Sequence, residues 1–289
     1  MEHNEVFRER VPHSEPGYPF RINCGNPLAS NHWHDELEWI YIMSGMLQLH
    51  INGVEYRGQE NDIFVVNRNE IHGISRTTPD VEFYVFVFDL NMLSFADDDL
   101  SQKQFIQPLL DGSIRFFNKP ESTYLMRAVF NRVFSYNVEK QPGYMLATKA
   151  ALLEFISLMI ANGQYSTEQI ELQDEMRIAL VKRIALYISN HIGEKITLEE
   201  ISARFNMAPK YFCRFFKKNF KMTLIEYVNC KKVEQAVSLI GQGKDSITEI
   251  AISCGFSNTS YFTRIFKKVT GYTPSQYKFV MGQSADLTP

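Results

Sequence analysis

The chain has 289 residues, 45% of them hydrophobic and 22% charged, with a formal net charge of −3. That length and apolar content suit two globular domains, each with its own core. The small net charge hides a division: residues 1–176 hold 13 Lys/Arg against 25 Asp/Glu, whereas residues 177–289 hold 17 against 8. An acidic part repels phosphate and a basic part attracts it, so nucleic acid is expected at the C-terminal end alone. No run is expected to reach the eighteen or so apolar residues of a membrane span, and the acidic start MEHNEVFRER is unlike a signal peptide. Cys24, Cys213, Cys230 and Cys254 form no CxxC pair, three of them fall in predicted helices, and buried free thiols in a reducing cytoplasm are the expectation.

Residues 1–20 are polar and hold Pro12, Pro16, Gly17 and Pro19, which predicts an arm rather than a core element. Short strands are expected over residues 21–117. Leu47, Leu49 and Ile51 alternate with polar residues, and Asn52-Gly53 then supplies the two positive φ angles of a tight hairpin turn before Val54 and Tyr56. Residues 63–66 and 81–88 continue the pattern, the latter apolar enough for burial on both faces. An antiparallel sandwich or barrel follows.

The period turns helical from residue 122, with Leu125, Ala128/Val129, Arg132/Val133 and Tyr136 on one face, and Pro142-Gly143 breaks the run. Residues 145–160 are apolar over an arc so wide that the helix needs partners on two sides. One partner is its own barrel. A second subunit is the other expected partner, against the alternative of a helical pair packed within one chain. Residues 162–177 are polar and predict a linker, and residues 178–192 open the basic domain as an amphipathic helix. Residues 223–240 then read as one helix of about 27 Å at 1.5 Å per residue.

The segment SNTSYFTRIFKKVTGYTPSQYK, from Ser257, is laid out as a recognition helix. Small polar residues cap its start, Phe262, Ile265 and Phe266 form a buried stripe, and cations lie on the other face. A shift of fifty residues superposes it on an earlier copy. Tyr211/Tyr261, Phe212/Phe262, Arg214/Arg264, Phe216/Phe266, Lys217/Lys267, Lys218/Lys268, Thr223/Thr273 and Tyr227/Tyr277 all match without a gap. LEEISARF and ITEIAISCGF precede the two copies as shorter amphipathic segments, so two tandem helix-turn-helix units are predicted. Base contacts are assigned to Lys210, Cys213 and Arg214 in the first unit and to Thr259, Ser260, Thr263 and Arg264 in the second. Phosphate contacts are assigned to Lys217, Lys218, Asn258, Lys267 and Lys268.

These last motifs, GFSNTSYFTRIFKK followed by TGYTPSQYK, resemble the C-terminal signature of AraC/XylS-type bacterial transcription regulators over residues 178–281. Ala208, where a Ser cap is common, and Cys213 depart from that pattern in the first unit. Upstream, His32, His34, Glu38 and Gly45, with His72 after Gly58, resemble the two motifs of the cupin jelly-roll. In metal-binding cupins the three histidines and the glutamate ligate an ion. Here Asn67-Arg68-Asn69 replaces the usual Pro-x-Gly, and the expectation is a polar pocket with neither metal nor other cofactor.

The expected fold is α+β in two domains: a cupin-like antiparallel β-barrel with flanking helices, then an all-α tandem helix-turn-helix domain. The boundaries are an arm at 1–20, the barrel at 21–117, dimerisation helices at 118–161, a linker at 162–177 and the DNA-binding domain at 178–289. The expected function is a non-enzymatic, dimeric activator that binds double-stranded DNA and no membrane. Its effector is expected to be a small polar metabolite, with a sugar suited to Trp33, Tyr41 and the histidines, held by His32, His34, Glu38 and His72. The resemblance also implies RNA polymerase as a partner. Two alternatives stay open: a ligand-free barrel used only for dimerisation, and a cupin metalloenzyme fused to a DNA-binding domain.

Overall fold

The computed structural model describes residues 17–24, 32–97, 99–168, 172–242 and 246–285. Two compact units divide between Met176 and Arg177.

The first unit is built on seven strands: β1 (Phe20–Cys24), β2 (Leu37–Ser44), β3 (Met46–Ile51), β4 (Val54–Gln59), β5 (Ile63–Val66), β6 (His72–Thr77) and β7 (Glu82–Phe88). They form a four-stranded sheet ordered β1-β7-β2-β5 and a three-stranded sheet ordered β4-β3-β6, with every pair antiparallel. The β3–β4 hairpin turns at Asn52 and Gly53, whose φ angles are 50° and 83°, as the Asn-Gly pair predicts. Alternation along the strands turns Ile40, Ile42, Phe64 and Val85 of the larger sheet toward Leu47, Leu49, Ile51 and Ile74 of the smaller one. The other face of the larger sheet presents Trp39, Tyr41, Val65, Phe86 and Phe88.

After β7 the chain becomes helical earlier than expected. Asp89 caps a 3-10 turn at Leu90–Leu93, and Gln102–Ile106 runs into α1 (Gln107–Asp111), which carries Pro108 in its first turn. The Asp89 cap opens the first of these turns, whereas the starts at Ser101 and Ile106 carry no side-chain cap bond. The two-residue strand β8 (Arg115–Phe116) follows, then α2 (Tyr124–Glu139) and α3 (Tyr144–Ala161). The helix pair covers the outer face of the four-stranded sheet, with Phe130 of α2 stacked 4.9 Å from Phe86 and Phe155 of α3 4.2 Å from Trp39. Those aromatics select a stripe of Met126, Val129, Phe130 and Val133, one residue round from the predicted one, and leave Leu125 57% exposed.

Further corrections concern the ends of this unit. Tyr18 and Phe20, read as part of an arm, are buried core residues; residues 1–16 of that arm lie outside the described set. By length and composition α3, at 18 residues and mean hydropathy 1.5, could cross a membrane, contrary to the expectation that no run would. Its Ala151, Leu152, Phe155, Ile156 and Met159 are instead buried in the core beneath the sheet. The predicted linker is partly structured: β9 (Tyr165–Ser166) pairs antiparallel with β8, and α4 (Leu172–Asn190) begins after five intervening residues.

Among its described residues the second unit is all helical: α4, α5 (Leu198–Arg204), α6 (Pro209–Phe220), α7 (Leu224–Gln242), α8 (Ile247–Ser253), α9 (Thr259–Thr270) and α10 (Pro274–Ala285). The repeat extends to the caps. Thr197 with Glu200 and Ser246 with Glu249 form capping boxes at α5 and α8. Thr223 with Glu226 and Thr273 with Gln276 make the same reciprocal bonds at α7 and α10. Phe212, Phe216, Phe220 and Tyr227 fill the first half; Val233, Ala236 and Ile240 of α7 meet Ile250, Phe262 and Phe266 in the second. Lys232, almost fully buried, donates from Nζ to the Gly255 carbonyl at 2.6 Å and lies over the Phe256 ring, and burial pushes its pKa down.

The two sheets come close together at Gly58 of β4, where a Cβ atom would lie 2.4 Å from both Ile42 Cδ1 and Phe64 Cε2. Gly58→Ala is therefore expected to destabilise the N-terminal unit by about 1–3 kcal/mol through overpacking. The check is urea unfolding followed by Trp fluorescence, since Trp39 reports on this unit.

Candidate functional site

Two regions carry functional side chains, one in each unit. In the first, His32, His34, Glu38 and His72 converge, with one ligand atom from each lying within 4.8 Å of all the others. Glu38 stands on the inward face of β2, one pleat before Ile40, and His72 opens β6, one pleat before Ile74. His32 forms an isolated antiparallel bridge with His72, which brings its ring centroid to 4.2 Å from that of His72. The cluster thus extends the inter-sheet core at one end, and His34, Glu38 and His72 are buried.

Backbone carbonyls orient two of the rings. His34 Nδ1 lies 3.2 Å from the Glu36 carbonyl and His72 Nδ1 2.9 Å from the Glu70 carbonyl. With Nδ1 as donor in each, Nε2 is directed inward, to 3.2 Å and 3.4 Å from the same Glu38 oxygen. Burial opposes ionisation of Glu38, but His72 and His34 beside it outweigh that and hold its carboxyl well below the usual carboxylate range. Three imidazoles and one carboxylate, pre-oriented by backbone acceptors, form a donor set that suits first-row divalent metals.

Tyr41, offered as a sugar-stacking residue, does not join this cluster. It faces the helix layer, packs 5.3 Å from Phe130 and donates its hydroxyl to Asn61. Sequence reasoning missed the residues that hold the cluster in place. Residues 67–70, read only as a departure from the cupin pattern, bond to four separate elements. Asn69 N–H donates to the His34 carbonyl at 2.9 Å, and Arg68 donates to the carbonyls of Asp35 and Leu110. Asn67 exchanges two 2.9 Å bonds with the Phe116 backbone, and Glu70 accepts from Asn67, Asn118, Arg115 and Asn52. No local sequence signal marks this, because most of the partners lie 18 to 49 residues away.

In the second unit the predicted contact residues fall on the outer faces of α6 and α9. Lys210, Cys213, Arg214, Lys217 and Lys218 are exposed on α6, while Thr259, Ser260, Arg264, Lys267 and Lys268 are exposed on α9 and Thr263 is half-buried. Phe212 and Phe216 anchor the inner face of one helix and Phe262 and Phe266 that of the other. Cys213 is thus no buried thiol, Cys230 is half-buried and Cys254 is buried as expected, while the Cys24 side chain lies outside the described set. Burial pushes the Cys230 thiol up to about 11. Asn258 is the N-cap of α9, and its Oδ1 accepts from Ser260 and Tyr261 N–H, which commits that oxygen to the helix end rather than to DNA. Ala208 caps α6 without a side-chain bond, and Pro209 starts the helix instead. Arg264 extends over the Tyr261 ring at 5.3 Å, and the Tyr261 hydroxyl in turn accepts from Asn229 of α7 at 2.8 Å.

Comparison with known proteins matches both units. The description "AraC-like ligand binding domain" fits residues 26–156 and "Helix-turn-helix domain" fits residues 201–278. The chain is 27% identical over 268 residues to YdeC of Bacillus subtilis, described as an uncharacterized HTH-type transcriptional regulator, covering 89% of this chain and 87% of that protein. It is 28% identical over 133 residues to the HTH-type transcriptional activator RhaS of Escherichia fergusonii, covering 46% of each. Among solved structures, unsaturated fatty acid-bound ToxT of Vibrio cholerae superposes with a TM-score of 0.50 at 15% identity, covering 92% of this chain and 96% of that one; the likeness is one of fold. With the ligand-binding description laid over the two-sheet unit and the helix-turn-helix description over the repeated helices, the chain belongs to the AraC family of transcription regulators.

Proposed function

We propose that the chain is a transcription activator that reads two adjacent major-groove faces with α6 and α9 and responds to a small polar effector bound in its N-terminal unit. The observation that carries the DNA reading is the matched pair of helices, each with buried phenylalanines on one side and exposed cations on the other, joined by α7. At 19 residues α7 is about 28 Å long, near the roughly 34 Å between successive major-groove faces. Activation as the sign of regulation draws support from RhaS, which is named an activator. The setting is the cytoplasm, and RNA polymerase is the partner activation requires.

For the effector, the donor set at His32, His34, Glu38 and His72 favours a divalent metal ion, against the expectation of no cofactor. These four residues would hold the ion, which would supply positive charge and open coordination positions for a metabolite's oxygens. A second reading has its own observation. Nε2 of both oriented histidines already lies 3.2 Å and 3.4 Å from one Glu38 oxygen, and the four groups could present the same atoms to a polar metabolite directly. Exposed apolar side chains on the helix pair, Leu146 and Val138 among them, support a second copy of the chain as partner. Wild-type protein is then expected to sediment as a dimer at micromolar concentration and Leu146→Glu as a monomer; a wild-type monomer would remove the dimer from this reading.

For DNA, Arg264→Ala is expected to cost about 1–3 kcal/mol of specific binding and to relax preference at one base position. Lys267→Ala should weaken binding to all sequences and flatten the salt dependence. Fluorescence anisotropy on operator and scrambled duplexes over a salt series checks both, and the same uniform loss in the two variants would contradict the division of roles.

For the effector, Zn²⁺ at a hundredfold excess over its dissociation constant is expected to stabilise the N-terminal unit by about 2.7 kcal/mol, read as a rise in Tm. His34→Ala and Glu38→Gln should abolish that rise. A wild-type protein indifferent to Zn²⁺, Ni²⁺ and Co²⁺ that still responds to a metabolite would favour the second reading.

A further inference from the structure

We infer that the turn at residues 67–70 is the element that transmits the state of the His32/His34/Glu38/His72 cluster toward the DNA-binding unit, with Asn67 and Glu70 as its positioning residues. The inference rests on the reading of that cluster as the effector site. It begins from the connections of the turn. On the cluster side, the Glu70 carbonyl fixes His72 through Nδ1 at 2.9 Å, and Asn69 N–H holds the His34 backbone at 2.9 Å. Two of the four cluster residues therefore cannot shift without pulling on this turn.

On the other side the turn grips β8. Asn67 Nδ2 donates to the Phe116 carbonyl and Asn67 Oδ1 accepts from Phe116 N–H, both at 2.9 Å, so one amide side chain completes both backbone bonds of that residue as a neighbouring strand would. The buried Glu70 carboxylate adds Arg115 at 2.6 Å and Asn118 at 2.6 Å on either side of Phe116. Asn118 also exchanges bonds with Val65 of β5, at 3.0 Å and 2.9 Å. Phe116 pairs in turn with Tyr165 of β9, and Phe117 N–H donates to the Gln164 carbonyl at 3.1 Å. Beyond Ser166 only five residues precede α4, the helix in which the chain passes from one unit to the other.

The grip is polar and buried on both sides, which gives it leverage. A buried carboxylate with four partners tolerates no partial loss of them, so small displacements at His72 resolve into discrete rearrangements rather than being absorbed. A hydrophobic turn at residues 67–70 would fill the space without fixing the direction of motion.

The experiment uses full-length protein with Co²⁺ as probe, because its visible absorption reports binding directly. Co²⁺ is expected to change the dissociation constant of the parent for operator DNA by about tenfold, within the usual range for coupled sites, and DNA should change Co²⁺ affinity by the same factor. Asn67→Ala, which touches none of the four cluster residues, should bind Co²⁺ with an unchanged spectrum and within about threefold of parental affinity, bind DNA as the metal-free parent does, and lose the Co²⁺-induced change. A merely structural role would lower Co²⁺ affinity and thermal stability together and leave the response of the folded fraction intact; that result, or a parental response in Asn67→Ala, overturns the inference while the effector reading stands. A parent that binds no Co²⁺, or binds it with no change at DNA, removes the effector reading itself and the inference with it. Should Asn67→Ala fail to fold, hydrogen exchange of the parent decides. Co²⁺ is expected to change protection at the amides of Phe116, Phe117 and Tyr165, and unchanged exchange there overturns the inference.

Discussion

A four-stranded sheet that is apolar on both faces has to be covered twice, and the N-terminal unit is organised by that requirement. Strand β2 shows it within a few residues: Trp39 and Tyr41 go to the helix side while Ile40 and Ile42 go to the sheet side, and all four are buried. The hairpin β3–β4 with β6 supplies one cover and the α2–α3 pair the other. Burial of this kind is the main favourable term in folding, at roughly 25 cal/mol per Å² of apolar surface. The requirement also explains why α3 has the hydropathy of a membrane segment while serving as a lid over aromatic rings.

The polar cluster is a by-product of the same alternation. Glu38 belongs to the inward set of β2 by parity, so a carboxylate enters the core where an aliphatic residue would be expected, and His34 and His72 keep it ionised there. A buried charge is tolerated only when paired, and loss of either histidine would remove one of its two close partners. Sensitivity to occupancy is built in, because anything that enters the cluster competes for the pairs that hold Glu38.

The repeated part of the second unit was legible in the sequence because its information is local and stated twice, whereas α4 starts at Leu172, six residues before the expected 178. Capping pairs three residues apart, stripes at helical spacing and a fifty-residue shift need no tertiary knowledge to be recognised. The four cluster residues were legible through their spacing, which matches the convergence of their side chains. What could not be read were features decided by distant partners. The α2 stripe lies one residue round because Phe86 and Trp39 of the sheet select Phe130. The turn at Asn67 looked like an eroded motif because its reason is Phe116, 49 residues on. Tyr18 and Phe20 looked like an arm because prolines and glycine surround them, and only β7 and the helix layer make them core.

The buried Lys232 has a consequence for DNA. From the middle of α7 it bonds the Gly255 carbonyl, and Gly255 itself, at φ 72°, leaves no room for a side chain against Gly193. The second helix-turn-helix is thereby fastened to the connecting rod at its own bend. If α6 and α9 read successive half-sites, that fastening passes part of any mismatch in their spacing to the duplex. One base pair inserted between two half-sites would turn the second by about a tenth of a helical turn. Untwisting or bending the spacer would have to absorb the mismatch, at a cost set by how soft its base steps are. Spacer positions that no side chain touches would thus rank operators by their torsional stiffness.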